Sequence, residues 1–246
     1  MSKKTKAEER AARAAAALAE RKRKERRRNI LVAVAVVVVM ALIVGAGFLL
    51  SRSEDKEDDK AASQESEYGV SIGDADAPHT IIVYEDFLCP VSRDFEAQTR
   101  DDLAELAADG KVEVDYRPFN LFSSAQDPRK PYSVDAAAAF AVVLEESGPE
   151  VAKEFHDLLY ENQPSEAGPF PEGDFFVDLA VEAGATEADV RPGIENGDGE
   201  DWVAEATDAA LDAGVDGTPT ILLDGEQFLD GRTMQELGDN LVAAVE

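Results

Sequence analysis

The chain has 246 residues, enough for one domain of ordinary size with flanking segments, and 52 Asp/Glu against 24 Lys/Arg give it a net charge of −28. Residues 1–29 hold 12 Lys/Arg and 4 Asp/Glu, net +8, which leaves −36 for residues 30–246. Such an acidic part lacks the Lys and Arg that displace counterions from phosphate backbones, so the composition excludes nucleic-acid binding by residues 30–246.

The N-terminal part predicts a membrane anchor. Residues 30–50 read ILVAVAVVVVMALIVGAGFLL, an uncharged run of 21 residues, and a helix of that length crosses a hydrocarbon core of about 30 Å. The basic residues 1–29 precede it, so the positive-inside rule predicts a cytoplasmic N-terminal tail and an extracytoplasmic C-terminal domain. A cleaved signal peptide is the alternative, but its apolar region would be shorter and Gly45-Ala46-Gly47 is a poor cleavage site. We therefore expect a single-pass protein of the cell membrane with an uncleaved anchor.

The rest of the chain predicts one α/β domain. Residues 51–67, SRSEDKEDDKAASQESE, are polar and charged and predict a flexible acidic linker, so we expect the folded domain to span 68–246. HTIIVYEDF predicts a buried strand, the residues after Cys89-Pro90 a helix with Val91, Phe95 and Leu103 on its apolar face, and KVEVDYRPF a second strand. A helical block follows over about 121–214, and the chain ends with two short strands and an amphipathic helix.

Cysteine and histidine content limits the chemistry. Cys89 is the only cysteine, which excludes an internal disulfide framework and a CxxC zinc site. His79 and His156 are the only histidines, so we predict no metal site. We expect each of them to be a surface or half-buried residue rather than a catalytic base.

Cys89 stands where a thiol is readily activated. It ends a predicted buried strand and precedes Pro90, the residue type best suited to the first position of a helix. The free N–H groups and positive dipole end of that helix favour a thiolate, the form that attacks disulfides. Glu85 and Asp86 would oppose this effect if they lie close to the sulfur.

Two motifs, far apart in the sequence, resemble those of a known protein family. EDFLCPVSRDFE together with VDGTPTILLDG resembles the DsbA-like branch of thioredoxin-fold proteins, especially the membrane-anchored bacterial forms. Their active-site stretch reads DF-x-CP-x-C and their late loop reads GTPT. The resemblance covers about Tyr68 to Glu246. It implies a thioredoxin-like α/β fold with an inserted helical block, here preceded by one transmembrane helix.

The resemblance also implies roles for site residues. Cys89 matches the attacking cysteine, with Pro90 beside it in the substrate-binding part. Pro219 matches the family's cis-proline, with Thr218 facing the sulfur. A cis X-Pro bond turns the chain sharply and frees the preceding backbone groups to pair with an extended substrate. The alternative is that Gly217-Thr218-Pro219 is an ordinary turn into a strand.

One departure from the family pattern changes the expected chemistry. Ser92 stands where the family has its second cysteine, so the motif is CxxS. A serine hydroxyl is too weak a nucleophile to resolve the mixed disulfide formed by the first cysteine. Two interpretations of Ser92 remain open: a hydroxyl that hydrogen-bonds the Cys89 thiolate, or the mark of lost redox activity.

These features predict a membrane-anchored, extracytoplasmic thiol-disulfide exchange protein, either a monothiol oxidoreductase or a disulfide isomerase, that acts through Cys89 without a cofactor. The expected partners are cysteine-containing envelope or secreted polypeptides, with a low-molecular-weight thiol or a separate redox partner as the resolving thiol. The alternative is a redox-inactive thioredoxin-fold binding or chaperone module of the cell envelope. An exchanger requires an exposed, thiolate-rich Cys89 next to the cis-proline, whereas a binding module tolerates a buried thiol.

Overall fold

The structure, a computed structural model, describes residues 63–122 and 131–246, all within one compact unit. The strands are β1 (Ser63–Ser66), β2 (Gly69–Ile72), β3 (His79–Glu85), β4 (Val112–Pro118), β5 (Thr220–Leu223) and β6 (Glu226–Gln227). The helices are α1 (Pro90–Ala108), α2 (Tyr132–Ser147), α3 (Pro149–Glu161), α4 (Gly173–Glu182), α5 (Glu187–Asn196), α6 (Glu200–Asp212) and α7 (Met234–Val245). From β3 onwards the predicted order of β-α-β, helical block and β-β-α is confirmed, and β1 and β2 precede it.

The strands form one mixed sheet in the order β1-β2-β4-β3-β5-β6, in which only β3 and β4 are parallel. A parallel pair needs a crossover connection, and α1 supplies it between β3 and β4. Strand β3 lies between β4 and β5, and its apolar side chains Ile81 and Val83 are fully buried. The sheet is therefore built around the strand that leads into Cys89.

Helix α1 packs against β4 and against α7. Its buried stripe contains Phe95, Thr99 and Leu103, and Thr99 faces Gly238 of α7 so closely that a Cβ on that glycine would lie 2.6 Å from the Thr99 methyl carbon. A side chain at this glycine would thus separate the two helices. The prediction that Val91 belongs to the apolar face is wrong, since Val91 is 41% exposed and Ser92 is buried instead.

The inserted block consists of α2 to α6, and α2 lies at its centre. This alanine-rich helix is buried on most of its sides and packs against α3, α5 and α6. Small side chains let neighbouring helices approach closely. Helix α3, which carries His156, in turn contacts α1 and β2 and so links the block to the sheet.

The folded part begins earlier than predicted. The sequence predicts a linker over 51–67, but residues 63–66 form β1 and pair antiparallel with β2. The strand lies at the sheet edge, where backbone hydrogen bonds to a single neighbour suffice and polar side chains are tolerated. Residues 51–62 of the predicted linker lie outside the described residues.

The predicted tail 1–29 and membrane span 30–50 also lie outside the described residues. Within 63–122 and 131–246, no helix has both the length and the hydropathy required to cross a bilayer.

Candidate active site

Cys89 lies at the start of α1, with Pro90 as the first helical residue. Its backbone is extended, with φ −72° and ψ 116°, and its carbonyl accepts the first helical hydrogen bond from the Arg93 N–H at 3.1 Å. Strand β3 ends at Glu85, so a turn of three residues, Asp86, Phe87 and Leu88, separates the sheet from Cys89. This is the strand, turn and helix arrangement that the sequence predicts around the thiol.

The second half of the site comes from the loop before β5. The Thr218-Pro219 peptide bond is cis, as the resemblance implied, and the Cys89 Sγ donates a hydrogen bond to the Thr218 carbonyl oxygen at 3.3 Å. Antiparallel pairing of Thr220 with Tyr84 places this loop beside the end of β3. The Thr220 hydroxyl also donates to the Gly217 carbonyl at 2.8 Å, which fixes the turn. The loop does turn into a strand, as the alternative has it, but its peptide bond is cis and its Thr218 carbonyl contacts the thiol.

Cys89 is 2% exposed, whereas Val91, two residues later in α1, is 41% exposed. Of the features required of an exchanger, this structure provides contact with the cis-proline loop but leaves the thiol covered.

Ser92 lies one helical turn after Cys89 and is fully buried. Its hydroxyl has no hydrogen-bond partner among the described residues, and the Thr218 hydroxyl is likewise unpartnered there. Because an unmade hydrogen bond in a buried position costs free energy, each hydroxyl would gain from a group that enters the site and pairs with it. The structure leaves both interpretations of Ser92 open.

Asp86 organises the turn that carries Cys89. Its Oδ1 accepts hydrogen bonds from the Leu88 N–H and the Ser133 hydroxyl, and its Oδ2 accepts from the N–H groups of Leu121 and Phe122. Burial raises the pKa of this carboxyl, and the hydrogen bonds only partly offset that effect. The Asp86 carboxylate is therefore taken up by three backbone N–H groups and one hydroxyl, which fix it within the turn.

Gln163 holds the same turn from the other side. Just after the end of α3, its side-chain Nε2 donates to the carbonyls of Phe87 at 2.9 Å and Cys89 at 3.0 Å. No sequence pattern indicates this residue, because a glutamine after a helix belongs to no recognisable motif.

His156 lies in the core behind the site. The expectation that it is a surface or half-buried residue is wrong, since its side chain is fully buried between Glu85, which contacts Nε2, and Asp157, 2.9 Å from Nδ1. Burial disfavours the imidazolium, but the two carboxylates outweigh it and raise the pKa of His156 to about 9. The apolar face of α3 points inwards at this position. The ionic partners of His156 offset the desolvation cost of its buried charge. His79 is half-buried, and its Nδ1 lies 2.9 Å from Asp224.

Glu96 completes this buried ionic cluster. Both of its carboxyl oxygens are without hydrogen-bond partners in the described part of the chain, and desolvation, followed by repulsion from Glu85, raises its pKa to about 8. Glu96, His156 and Asp157 bring potential metal ligands within 4.8 Å of one another. However, the Lys153 ammonium is 2.6 Å from the Asp157 Oδ1, so a cation of the protein already occupies this position. The absence of a metal site stays a prediction.

The structure therefore gathers the five residues predicted for the site, whose catalytic and binding roles remain predictions. Cys89, Pro90 and Ser92 lie in one turn at the start of α1, and Thr218 and Pro219 meet them from the loop before β5. Asp86 and Gln163 fix the turn, and the Glu85–His156 pair lies behind it.

Comparison with known proteins agrees with this geometry. The family model described as thioredoxin matches residues 65–242. No curated protein matches the chain. Among solved structures, the reduced disulfide bond oxidoreductase DsbG of Mycobacterium tuberculosis is 27% identical, with a TM-score of 0.55 over 74% of this chain and 91% of that chain. Reduced DsbA of the same organism is 26% identical, with a TM-score of 0.56 over 76% and 98%.

The MdbA thiol-disulfide oxidoreductase of Corynebacterium diphtheriae, 22% identical, shares the fold with a TM-score of 0.60 over 78% of this chain and 96% of that chain. The family match covers most of the sequence, and the two mycobacterial structures place it near disulfide oxidoreductases. The chain belongs to the thioredoxin family, in its DsbA-like branch of thiol-disulfide oxidoreductases.

Proposed function

We propose that this protein is a membrane-anchored, extracytoplasmic thiol-disulfide exchange protein of the monothiol type, acting through Cys89 on envelope or secreted polypeptides. The observation that carries the proposal is the meeting of the only cysteine, at a helix N-terminus, with the carbonyl of Thr218 beside the cis-proline. The anchor and the orientation are supported by the apolar run 30–50 and by the basic residues before it.

The chemistry needs two exchanges at the same sulfur. The Cys89 thiolate attacks one sulfur of a substrate disulfide, a Cys89–substrate disulfide forms, and the other substrate sulfur leaves as a thiolate. A second thiolate, from the substrate itself or from a low-molecular-weight thiol, then attacks the mixed disulfide. It releases the Cys89 thiolate and leaves the substrate with a new disulfide. The number of disulfides is conserved, so no cofactor is needed.

Ser92 determines which products are accessible. With a hydroxyl where the family has its second thiol, no internal attack on the mixed disulfide is available. The lifetime of the mixed disulfide then depends on an external thiol. This dependence suits isomerisation, because a substrate with a free thiol can resolve its own intermediate in a different pairing.

A redox-inactive binding module is the second candidate, and the 2% exposure of Cys89 favours it. In that case the domain would bind unfolded or partner polypeptides of the envelope without a covalent step. Both candidates use the surface around Pro90 and Pro219, so binding alone does not separate them.

The separating experiment is covalent trapping by the full chain in detergent. Incubated with two peptides joined by a single disulfide and with no other thiol, wild type should accumulate a mixed disulfide visible by mass spectrometry. Cys89→Ala should form none. If the wild type stays unmodified while still binding the reduced peptide, the binding-module function replaces the exchange function.

The predicted orientation has its own test. Protease added to intact spheroplasts should digest the domain 68–246 and spare the tail 1–29. Protection of that domain would place Cys89 in the cytoplasm and remove the argument for envelope substrates.

A further inference from the structure

The side-chain amide of Gln163 makes an uncommon double contact with the backbone that carries the thiol. Its Nε2 donates to the carbonyls of Phe87 and Cys89, two residues apart, at 2.9 and 3.0 Å. Gln163 follows the end of α3 and its backbone N–H bonds to the Tyr160 carbonyl at 3.3 Å. The inserted helical block therefore holds the turn before α1 through the Gln163 amide, in addition to the Ser133 hydroxyl, which donates to the Asp86 carboxylate.

Two residues, Asp86 and Gln163, supply partners for the backbone groups of this turn. Asp86 accepts from the Leu88 N–H with its carboxylate and from the Cys89 N–H with its carbonyl, both at 2.8 Å. Gln163 supplies donors to carbonyls of the same turn. Because each buried backbone group needs a partner, removal of either side chain leaves part of the turn unsatisfied. Asp86 belongs to the turn itself, whereas Gln163 reaches it from another part of the fold.

We propose that Gln163 is a positioning residue for the Cys89 thiol, which it holds in place by fixing the Phe87 and Cys89 carbonyls. With both carbonyls fixed, the sulfur stays at the N-terminus of α1, where the helix N–H groups stabilise a thiolate. The two N–H bonds of the amide also point their positive ends towards the turn. The reactivity of Cys89 therefore depends on a residue of the inserted block.

The chemistry of the contact requires an amide. A neutral side chain with two N–H donors on one nitrogen satisfies two carbonyls at once. Gln163→Glu keeps the shape but sets a carboxylate against two carbonyl oxygens. Gln163→Met keeps the approximate length and removes both donors.

The inference rests on the proposed function only in taking Cys89 as the reactive group, and its test needs no exchange activity. The full chain in detergent is titrated with base while the ultraviolet absorbance of the thiolate is followed, with Cys89→Ala subtracted. Cys89 is the only cysteine, so the remaining signal has one source. The rate of alkylation by iodoacetamide is measured over the same pH range.

Gln163→Met should move the half-titration point to higher pH and slow alkylation at neutral pH about threefold or more. Gln163→Glu should produce a larger shift in the same direction. Gln98→Met is the matched control. The Gln98 side chain is exposed on α1, and its amide donates to the Asp94 carbonyl at 2.9 Å rather than to the turn. If Gln163→Met does not fold, the shorter Gln163→Asn takes its place.

An unchanged titration midpoint in folded Gln163 variants would overturn the inference, even if they unfold more easily, since that result would make Gln163 only structural. A shift to lower pH would overturn it as well, since it would show that the contact restrains the thiolate. If Gln163 variants shift the midpoint while wild type forms no mixed disulfide, the inference holds and the exchange function fails. If wild type forms the mixed disulfide while the Gln163 variants keep the wild-type midpoint, the exchange function holds and the inference fails.

Discussion

Cys89 and Thr218 meet through a sulfur and a backbone oxygen, 129 residues apart in sequence and 3.3 Å apart in space. Thr218 contacts the sulfur through its backbone carbonyl, while its hydroxyl is without a partner among the described residues. The side chain at this position is therefore separable from the contact with the sulfur.

Thr218→Val should leave the resting contact intact, because valine keeps the β-branched shape and the same carbonyl. We expect mixed-disulfide formation within about twofold of wild type and stability within about 0.5 kcal/mol. The rate of adduct formation by mass spectrometry checks this. A large loss of rate would show that the unpartnered hydroxyl binds the substrate, which would assign it a role the resting structure does not display.

Ser92→Cys should convert the monothiol site into a dithiol site. Ser92 is buried one helical turn from Cys89, and the substitution changes only oxygen to sulfur at a position whose hydroxyl has no partner among residues 63–122 and 131–246. The new thiol should attack the mixed disulfide, shorten its lifetime by an order of magnitude or more, and yield an internal disulfide. Quenched time courses of the adduct measure this.

Ser92→Ala serves as the comparison, since it removes the hydroxyl without adding a thiol. If the Ser92 hydroxyl tunes the thiolate, Ala should slow adduct formation. If it marks lost redox activity, Ala and wild type should behave alike. A long-lived adduct in Ser92→Cys would mean that the site no longer permits the geometry of resolution.

Asp86→Asn should weaken the turn that holds Cys89. The carboxylate accepts four hydrogen bonds, and an amide offers one acceptor oxygen while its NH₂ faces the donors on the other side. We expect a loss of about 2–4 kcal/mol in the free energy of unfolding. Urea denaturation measures it, with Asp94→Asn, an exposed aspartate on α1, expected to stay within about 0.5 kcal/mol. Equal effects at both positions would remove Asp86 from its structural role.

Much of the fold was predictable because its signals are local. The β-branched run before Cys89, the proline after it and the GTPT loop are each short patterns with a direct structural meaning. The burial of His156 was not predictable, because periodicity shows that α3 has an inner face but not which ionic partners meet it. Strand β1 has no apolar signal, since an edge strand is held through its backbone. Gln163 donates hydrogen bonds to carbonyls more than 70 residues away in the sequence, and no sequence pattern indicates such a contact.

Glu96 could have been found from the sequence. Ser92, Glu96, Thr99 and Leu103 follow one another at spacings of four, three and four residues, which places them on a single stripe of α1, and all four are buried. A glutamate on the stripe that also holds Leu103 signals a buried carboxyl. Such a residue affects how stability depends on pH.

The raised pKa of Glu96 has a definite sign in the stability of the protein. Burial and the nearby Glu85 raise its pKa from the ordinary 4.5 to about 8, so the folded state binds this proton more tightly than the unfolded state. Its contribution to stability is then complete below about pH 4.5 and is lost as the pH rises through about 8. His156, with a pKa raised to about 9, acts in the same direction at slightly higher pH.

Glu96→Gln should remove the Glu96 part of this dependence, since glutamine resembles the protonated acid and does not ionise. We expect the variant to be close to wild type near pH 5 and to exceed it by about 4–5 kcal/mol near pH 9, because the wild type must then ionise a buried carboxyl beside Glu85. Urea denaturation at several pH values measures the difference. Glu105→Gln, on the exposed face of the same helix, should keep the wild-type slope. If Glu96→Gln and wild type lose stability in parallel up to pH 9, Glu96 is not the group that holds the proton. The pH dependence would then belong to His156, which His156→Gln would test directly.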